Sequence, residues 1–239
     1  MKRGSFIGSS ALGATGITLG PTLVAAATTQ AVPGGTEFVE RRAAFDMATF
    51  DRIVGRNAQY RMLFQAVAYV PALLNNVKNS INGLEFGFGT DPSRVVTVVA
   101  GHGPSSAYTY SDYVWQKYRI GEYFALKNPT GELLTKNVFL AKRATSRSSN
   151  PDDEAGPFQD TSVEGLQARG TTFLTCHTAV EEQSRGIVKR EFAPAGMTAS
   201  DVAADILTHL VPGALVVPSM VAAIGVLQQR YHYAYLTIQ

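Results

Sequence analysis

The sequence predicts a three-layer α/β protein, in which helices cover both faces of a mainly parallel sheet of about five strands. Two observations carry this prediction. Short apolar runs that suit strands alternate along the chain with segments whose apolar residues recur at helical spacing. One run, residues 95–100, is almost continuous valine, which is typical of a strand buried on both faces of a parallel sheet. We expect that strand to lie at the centre of the sheet.

The predicted strands cover residues 61–70, 95–100, 171–175, 214–217 and 233–238. The predicted helices cover residues 40–56, 71–82, 110–124, 161–168, a segment from 178 onward, 200–210 and 220–227. Pro71 suits a first helical turn, and Asn82-Gly83 and the glycines at 87 and 89 are expected to end the same helix. Thr178 and Glu181 have the spacing of a capping box, which predicts that a helix begins at Thr178.

Composition excludes several classes of protein. The 239 residues are 45% hydrophobic, so the chain is not intrinsically disordered. The formal net charge of +2 is supplied by Lys2 and Arg3, which leaves a neutral body without the broad basic surface that binds nucleic acid. The single cysteine, Cys176, excludes an internal disulfide and a zinc site built from several cysteines.

The first 31 residues have the pattern of a signal peptide. Basic residues at positions 2–3 precede an apolar segment at 6–19, and small residues suitable for a peptidase follow at 25–27. Residues 2–6 also resemble a twin-arginine signal. We therefore expect an exported, periplasmic protein without a stable membrane span once the signal is removed. The alternatives are an uncleaved membrane anchor and an ordinary domain element.

The rest of the chain is predicted to form a linker and an N-terminal helix over residues 32–59, followed by one α/β domain over residues 60–239. Residues 128–161 are rich in Pro, Gly, Ser, Asp and Lys. This composition predicts an insertion within the domain, as a mobile loop or an oligomer arm.

The candidate site lies where two predicted strands end, because ligands of open α/β sheets bind beyond the carboxyl ends of the strands. One strand ends in Gly101-His102-Gly103, and the glycines would let a ligand approach the backbone closely. The other ends in Cys176-His177, directly before the predicted helix. A helix N-terminus favours the thiolate of a neighbouring cysteine, and His177 or His102 could supply a proton or a second charge. Thr178 completes the candidate ligand-binding residues.

Other interpretations of these residues stay open. A lone cysteine in an α/β core is most often a small apolar residue, and a single histidine has many structural uses. His209 and His232 have no partner at metal-ligand spacing, so both are interpreted as structural and no metal site is predicted. A third hypothesis, that the protein binds haem or another small molecule through His102 or His177, has less support from the sequence.

These segments resemble the DsrE/DsrF-like sulfur-relay family. The strongest match is at residues 211–220, a valine-rich strand after a proline, followed by a helix and a tyrosine-containing last strand. Residues 173–178 resemble the family's cysteine-bearing strand end, residues 95–104 its strand with a terminal His-Gly, and residues 73–83 its Asn-rich first helix. Together the matching segments span residues 61–239.

The resemblance implies a three-layer fold, a homo-oligomer and, in sulfur-carrying members, a persulfide on the cysteine, a role that only Cys176 can take here. The leading hypothesis is therefore a sulfur carrier or sulfurtransferase-like protein that acts through Cys176 with a sulfur donor or acceptor protein. This chemistry needs no metal and no cofactor, and none is predicted. The alternative is a non-catalytic, oligomeric binding or assembly module in which Cys176 is structural.

Overall fold

A computed structural model describes residues 41–238 and contains a five-stranded, all-parallel sheet with helices on both faces. The predicted fold class is thereby confirmed. The strands are β1 (Tyr60–Ala66), β2 (Val95–Gly101), β3 (Thr171–Cys176), β4 (Leu215–Val217) and β5 (Ala234–Ile238), and each corresponds to a predicted strand. The predicted signal peptide at residues 1–31 and the first part of the predicted linker lie outside the described residues.

The helices of residues 41–238 are α1 (Met47–Val54), α2 (Pro71–Asn82), α3 (Asp112–Lys117), α4 (Ile120–Tyr123), α5 (Val163–Ala168), α6 (His177–Lys189), α7 (Ala199–Thr208) and α8 (Met220–Tyr231). A 3₁₀ segment, Gly103–Thr109, follows β2. Within this part of the chain, no helix has the length and apolar character that crossing a membrane requires.

The strand order is β4-β3-β2-β1-β5, so β2 is the middle strand. Every residue of β2 is buried, as expected for the valine-rich strand. The register pairs Gly101 of β2 with Thr175 of β3, and Cys176 of β3 with Val217 of β4. The ends of these three strands therefore lie side by side at the carboxyl edge of the sheet.

Two apolar cores sandwich the sheet. On one face, side chains of β1, β2 and β3, including Phe64, Val99 and Phe173, pack against α2, α5, α6 and α7. On the other face, the alternate side chains of the strands pack against α1 and α8, whose Phe50 and Leu227 are buried there. The alternation along each strand explains why one sheet supplies both cores.

The connections change sides between β3 and β4. Helix α6 carries the chain from β3 along the first face, whereas α8 carries it from β4 across the second face to β5. The neighbouring strands β3 and β4 are thus followed by helices on opposite faces. Such a switch point opens a crevice at the carboxyl edge, and ligands of open α/β sheets bind there.

The helix predicted at residues 40–56 is shorter than expected. The backbone of Phe45 is extended and separates a 3₁₀ turn, Arg42–Ala44, from α1, which begins after its N-cap residue Asp46.

A second helix prediction also needs correction. The helix predicted at residues 110–124 is two helices, α3 and α4, because Arg119 has a left-handed backbone with φ 48° and its side chain donates to the carbonyl of Glu191 (2.9 Å). The predicted end of α2 at Asn82-Gly83 is confirmed for the α-helix, which ends at Asn82 with Gly83 as its C-cap residue. The backbone stays helical at Gly83 and forms a π-helical turn, Gly83–Gly87, in which Glu85 pairs with Arg169 (3.2 Å).

The predicted start of α6 at Thr178 is wrong as well. Helix α6 begins at His177, and Cys176 is its N-cap residue. The predicted capping box between Thr178 and Glu181 does not form, because the Thr178 hydroxyl donates instead to the carbonyl of Pro218 (2.9 Å). A true capping box occurs at α7, between Thr198 and Asp201.

Candidate functional site

Cys176 lies at the switch point between β3 and β4. Its Sγ accepts the backbone N–H of Ala179 in the first turn of α6 (3.4 Å) and the backbone N–H of Met220, the first residue of α8 (3.2 Å). The residue is 5% exposed. The N-terminal ends of two helices from opposite faces of the sheet thus converge on one sulfur atom.

A second pair of contacts ties the same two junctions together. The backbone N–H of Thr178 and its hydroxyl both donate to the carbonyl of Pro218, at 3.3 and 2.9 Å. The β3–α6 junction therefore donates to the β4–α8 junction through Thr178, and receives a hydrogen bond from it at Cys176. We call this four-residue arrangement, Cys176, Thr178, Pro218 and Met220, the junction clasp.

The electrostatics of the clasp favour negative charge on sulfur. The N–H groups at a helix N-terminus carry the positive end of the helix dipole, and hydrogen bonds to a charged acceptor are stronger than those to a neutral one. Burial among the apolar side chains of the second core acts against the thiolate. The geometry can therefore hold a nucleophilic sulfur if the hydrogen bonds outweigh the cost of removing its charge from water.

His177 is 1% exposed, and its ring is packed edge-on against Phe45, with the ring centroids 5.4 Å apart. Glu181 lies one helical turn further along α6 and is also buried. Residues four apart face the same side of a helix, so His177 and Glu181 share one side of α6. The predicted role of His177 as a proton source stays a prediction.

His102 follows β2, next to the strand end that carries Cys176, and its ring is hydrogen-bonded towards β1. The Gln65 amide N–H donates to Nε2 of His102 (2.6 Å), and Oε1 of Gln65 accepts the hydroxyl of Tyr235 on β5. These contacts make Nε2 of His102 an acceptor. The structure therefore joins His102 to Gln65 and Tyr235.

The two candidate glycines, Gly101 and Gly103, are required by the conformation of the loop that follows β2. A side chain at Gly101 would meet the carbonyl oxygen of Ser105 at 3.0 Å, and Gly103 has a φ of +63°. The carbonyl of Gly103 accepts the side-chain amide of Gln183 on α6 (3.1 Å). Burial raises the pKa of Tyr110, so its hydroxyl stays protonated and donates to the same Gln183. The loop after β2 is thereby fixed to α6.

A small apolar pocket of about 100 Å³ lies beside the clasp. It is lined by Val217, which is the register partner of Cys176, and by Pro218 and Ser219, which precede Met220. Phe50 of α1 supplies an aromatic wall. Across residues 41–238, there is no group of three or more His, Cys, Asp or Glu side chains that could hold a metal ion.

Sequence reasoning missed the partners of Cys176. The pattern predicts a strand that ends at Val217 and a helix that begins at Met220, but it does not place either of them beside Cys176. The signal that could have found them is the switch point, but it requires the strand order, which the sequence pattern does not contain. Comparisons with models of protein families, with curated proteins and with solved structures find no match to this chain.

Proposed function

We propose that this protein is an exported sulfur carrier that holds sulfane sulfur as a persulfide on Cys176. The observation that carries the proposal is the pair of backbone N–H groups on Sγ, one from each of two helix N-termini. These groups support a thiolate, which is the form of cysteine that attacks sulfur. The resemblance of residues 61–239 to the DsrE/DsrF-like family supports the same chemistry and a homo-oligomeric state.

The proposed transfer has two balanced steps. In the first, the Cys176 thiolate attacks the terminal sulfur of a hydropolysulfide, a new S–S bond forms, and the shortened polysulfide leaves with the electron pair of the broken S–S bond. In the second, an acceptor thiolate attacks the outer sulfur of the persulfide, and the Cys176 thiolate leaves. Neither step needs an external oxidant or reductant.

The burial of Cys176 limits the donors it can meet. With 5% of the residue exposed and a pocket of about 100 Å³ beside it, the clasp suits small inorganic or low-molecular-weight sulfur species. A bulky donor would require the β4–α8 junction to move away from α6. We therefore propose hydropolysulfide as the donor class.

The proposal is tested by mass spectrometry of the purified protein after incubation with polysulfide. We expect added sulfur mass on the wild type, its removal by dithiothreitol, and no addition to Cys176→Ser. Serine is a favoured N-cap residue, so the variant should keep α6 and its fold. Wild-type protein that gains no sulfur, or a Cys176→Ser variant that gains as much, would contradict the proposal.

The burial of Cys176 also supports a second candidate function, a non-catalytic binding or assembly module. Here the thiol serves only as the N-cap of α6 within the second core. Alkylation of the folded protein separates the two candidates. A thiolate carrier should react with iodoacetamide under native conditions, whereas a purely structural thiol should react only after unfolding.

A further inference from the structure

A second cavity, of about 490 Å³, lies away from the clasp, between the β1–α2 connection and the long connection that follows α4. Its walls are largely apolar and are formed by Tyr69, Pro71, Leu134, Val138 and Phe139. We call it the Tyr69 cavity. Its size falls within the range of cavities that bind small molecules, and it is near the carboxyl end of β1, on the side of an α/β sheet where ligands bind.

The aromatic wall of the Tyr69 cavity is held rigidly. The Tyr69 ring lies 4.5 Å from the Tyr108 ring and 5.0 Å from the Phe139 ring, measured between centroids. The Tyr69 hydroxyl donates to Oδ1 of Asn137 (2.7 Å), and the buried Asn137 amide donates in turn to backbone carbonyls, including that of Tyr108 (3.0 Å). A ligand would therefore meet a wall that is already formed and costs little to order.

The rim of the cavity carries a positive charge. Lys127 lines the cavity, and its exposed side chain takes part in no ion pair within residues 41–238. The turn after it is fixed, because Oδ1 of Asn128 accepts the backbone N–H groups of Thr130 (3.0 Å) and Glu132 (2.9 Å). The Glu132 carboxylate is itself engaged across this turn by the Asn128 amide (2.9 Å).

We propose that the Tyr69 cavity binds an organic anion, with its aromatic or branched apolar body against Tyr69 and Phe139 and its carboxylate or sulfonate at Lys127. An apolar cavity with a charged group at its mouth has the usual composition of a small-molecule site, in which a few polar groups orient the ligand. The inference is independent of the sulfur chemistry proposed for Cys176.

The test uses two fluorescent probes with the same aromatic body. The first, 8-anilinonaphthalene-1-sulfonate, is an anion, and the second, N-phenyl-1-naphthylamine, is neutral. Lys127→Ala should weaken binding of the anion about three- to five-fold, which is the scale of an exposed ion pair, and leave the neutral probe unchanged. Lys136→Ala, an exposed lysine outside the cavity lining, is the matched control and should change neither.

Val138→Trp tests the location of the bound probe. Val138 is 37% exposed at the cavity wall, so a larger side chain there should obstruct the cavity without disturbing the buried core. Both probes should bind about ten-fold more weakly or worse, with thermal unfolding as the control for the fold. Unchanged binding to Val138→Trp, equal effects of the two lysine variants, or no binding of either probe to the wild type would each overturn the proposal.

Discussion

At the scale of single residues, Cys176 is both the last residue of β3 and the N-cap residue of α6. Its position at a strand end could be predicted, and so could a helix directly after it. Spacing alone predicts the capping role for Thr178, but β3 continues through Cys176, and the Cys176 sulfur accepts the N–H of Ala179 instead. The sequence pattern does not contain the contact of Thr178 with Pro218, so it cannot show that the Thr178 hydroxyl is engaged outside α6.

The contribution of the α8 N-terminus to Cys176 can be isolated with two substitutions at Met220. Proline lacks a backbone N–H and is tolerated at the first helical position, so Met220→Pro removes the hydrogen bond while α8 can still begin there. Met220→Ala removes the same buried side chain and keeps the N–H. A hydrogen bond to a charged group contributes about 1.5–3 kcal/mol, so the Cys176 thiol pKa should be higher by about 1 to 2 in the proline variant than in the alanine variant.

The pH dependence of iodoacetamide labelling measures this difference. Thermal unfolding of the two variants should be similar, since both lose the same side chain. Equal labelling profiles in two folded variants would show that the Met220 N–H does not act on the sulfur.

Asp160 anchors the long connection through its carboxylate. Burial raises the pKa of Asp160, but hydrogen bonds from Ser162 and from the backbone N–H groups of Ala144 and Arg143 outweigh it and hold the pKa below its usual value. Because the pKa of Asp160 is lower in the folded protein than in the unfolded chain, the carboxylate stabilises the fold. This stabilisation is fully present above the unfolded pKa of about 3.9 and is lost as the pH falls through the folded pKa. Asp160→Asn should cost about 2 kcal/mol at neutral pH, because an amide cannot accept on both sides.

Urea titration at several pH values measures the free energy of unfolding and tests whether the contribution of Asp160 decreases at low pH. The difference in unfolding free energy between wild type and Asp160→Asn should narrow as the pH falls below the unfolded pKa of about 3.9 and towards the lowered pKa of the folded Asp160 carboxyl. Asp152→Asn, at an exposed carboxylate nearby, is the control and should stay within about 0.5 kcal/mol of the wild type. A gap that stays constant down to acid pH would rule out the carboxylate as the anchor.

At the scale of elements, the connection between α4 and α5 is the part that the sequence describes least. No helix or strand is assigned between Tyr123 and Val163, in agreement with the Pro-, Gly- and Ser-rich composition. In the structure, hydrogen bonds at three residues of this segment hold it in place. These residues are Asn137, Asp160 and Phe158, and the carbonyl of Phe158 accepts the Asn82 amide (2.9 Å). Contacts of this kind join residues far apart in the chain and leave no periodic pattern. Its identity as an insertion stays a prediction.

Gly121 of α4 tests the close packing of this connection. A Cβ at position 121 would lie 1.7 Å from the carbonyl oxygen of Leu134, and a backbone atom cannot move away easily. Gly121→Ala should therefore destabilise the protein by about 2 kcal/mol or more. Gly225→Ala, in α8, meets no atom within 4 Å and is the matched control, expected to be neutral or stabilising by up to about 1 kcal/mol. Chemical denaturation of both variants measures the difference, and equal stabilities would contradict the packing described here.

At the scale of the whole molecule, the fold class and all five strands could be predicted because each strand leaves a short apolar run in the sequence, which is nearly continuous valine in the buried middle strand β2. The order β4-β3-β2-β1-β5 could not, since it depends on the face along which each helix returns. That order creates the switch point, and the switch point brings Met220 to Cys176 from 44 residues away. The candidate nucleophile was therefore predictable, and its surroundings were not. Export, oligomerisation and the relation to the DsrE/DsrF-like family remain proposals.

The most direct measurement of the central claim, that the junction clasp holds Cys176 as a thiolate, is the ultraviolet absorbance of the thiolate as a function of pH in the native protein. The difference between wild type and Cys176→Ser isolates this single thiol and removes the contribution of the tyrosines. We expect a midpoint below the ~8.5 of a free cysteine, because two helix N-termini stabilise the charge. A midpoint above ~8.5 in the folded protein would contradict it and leave Cys176 as a structural cap of α6.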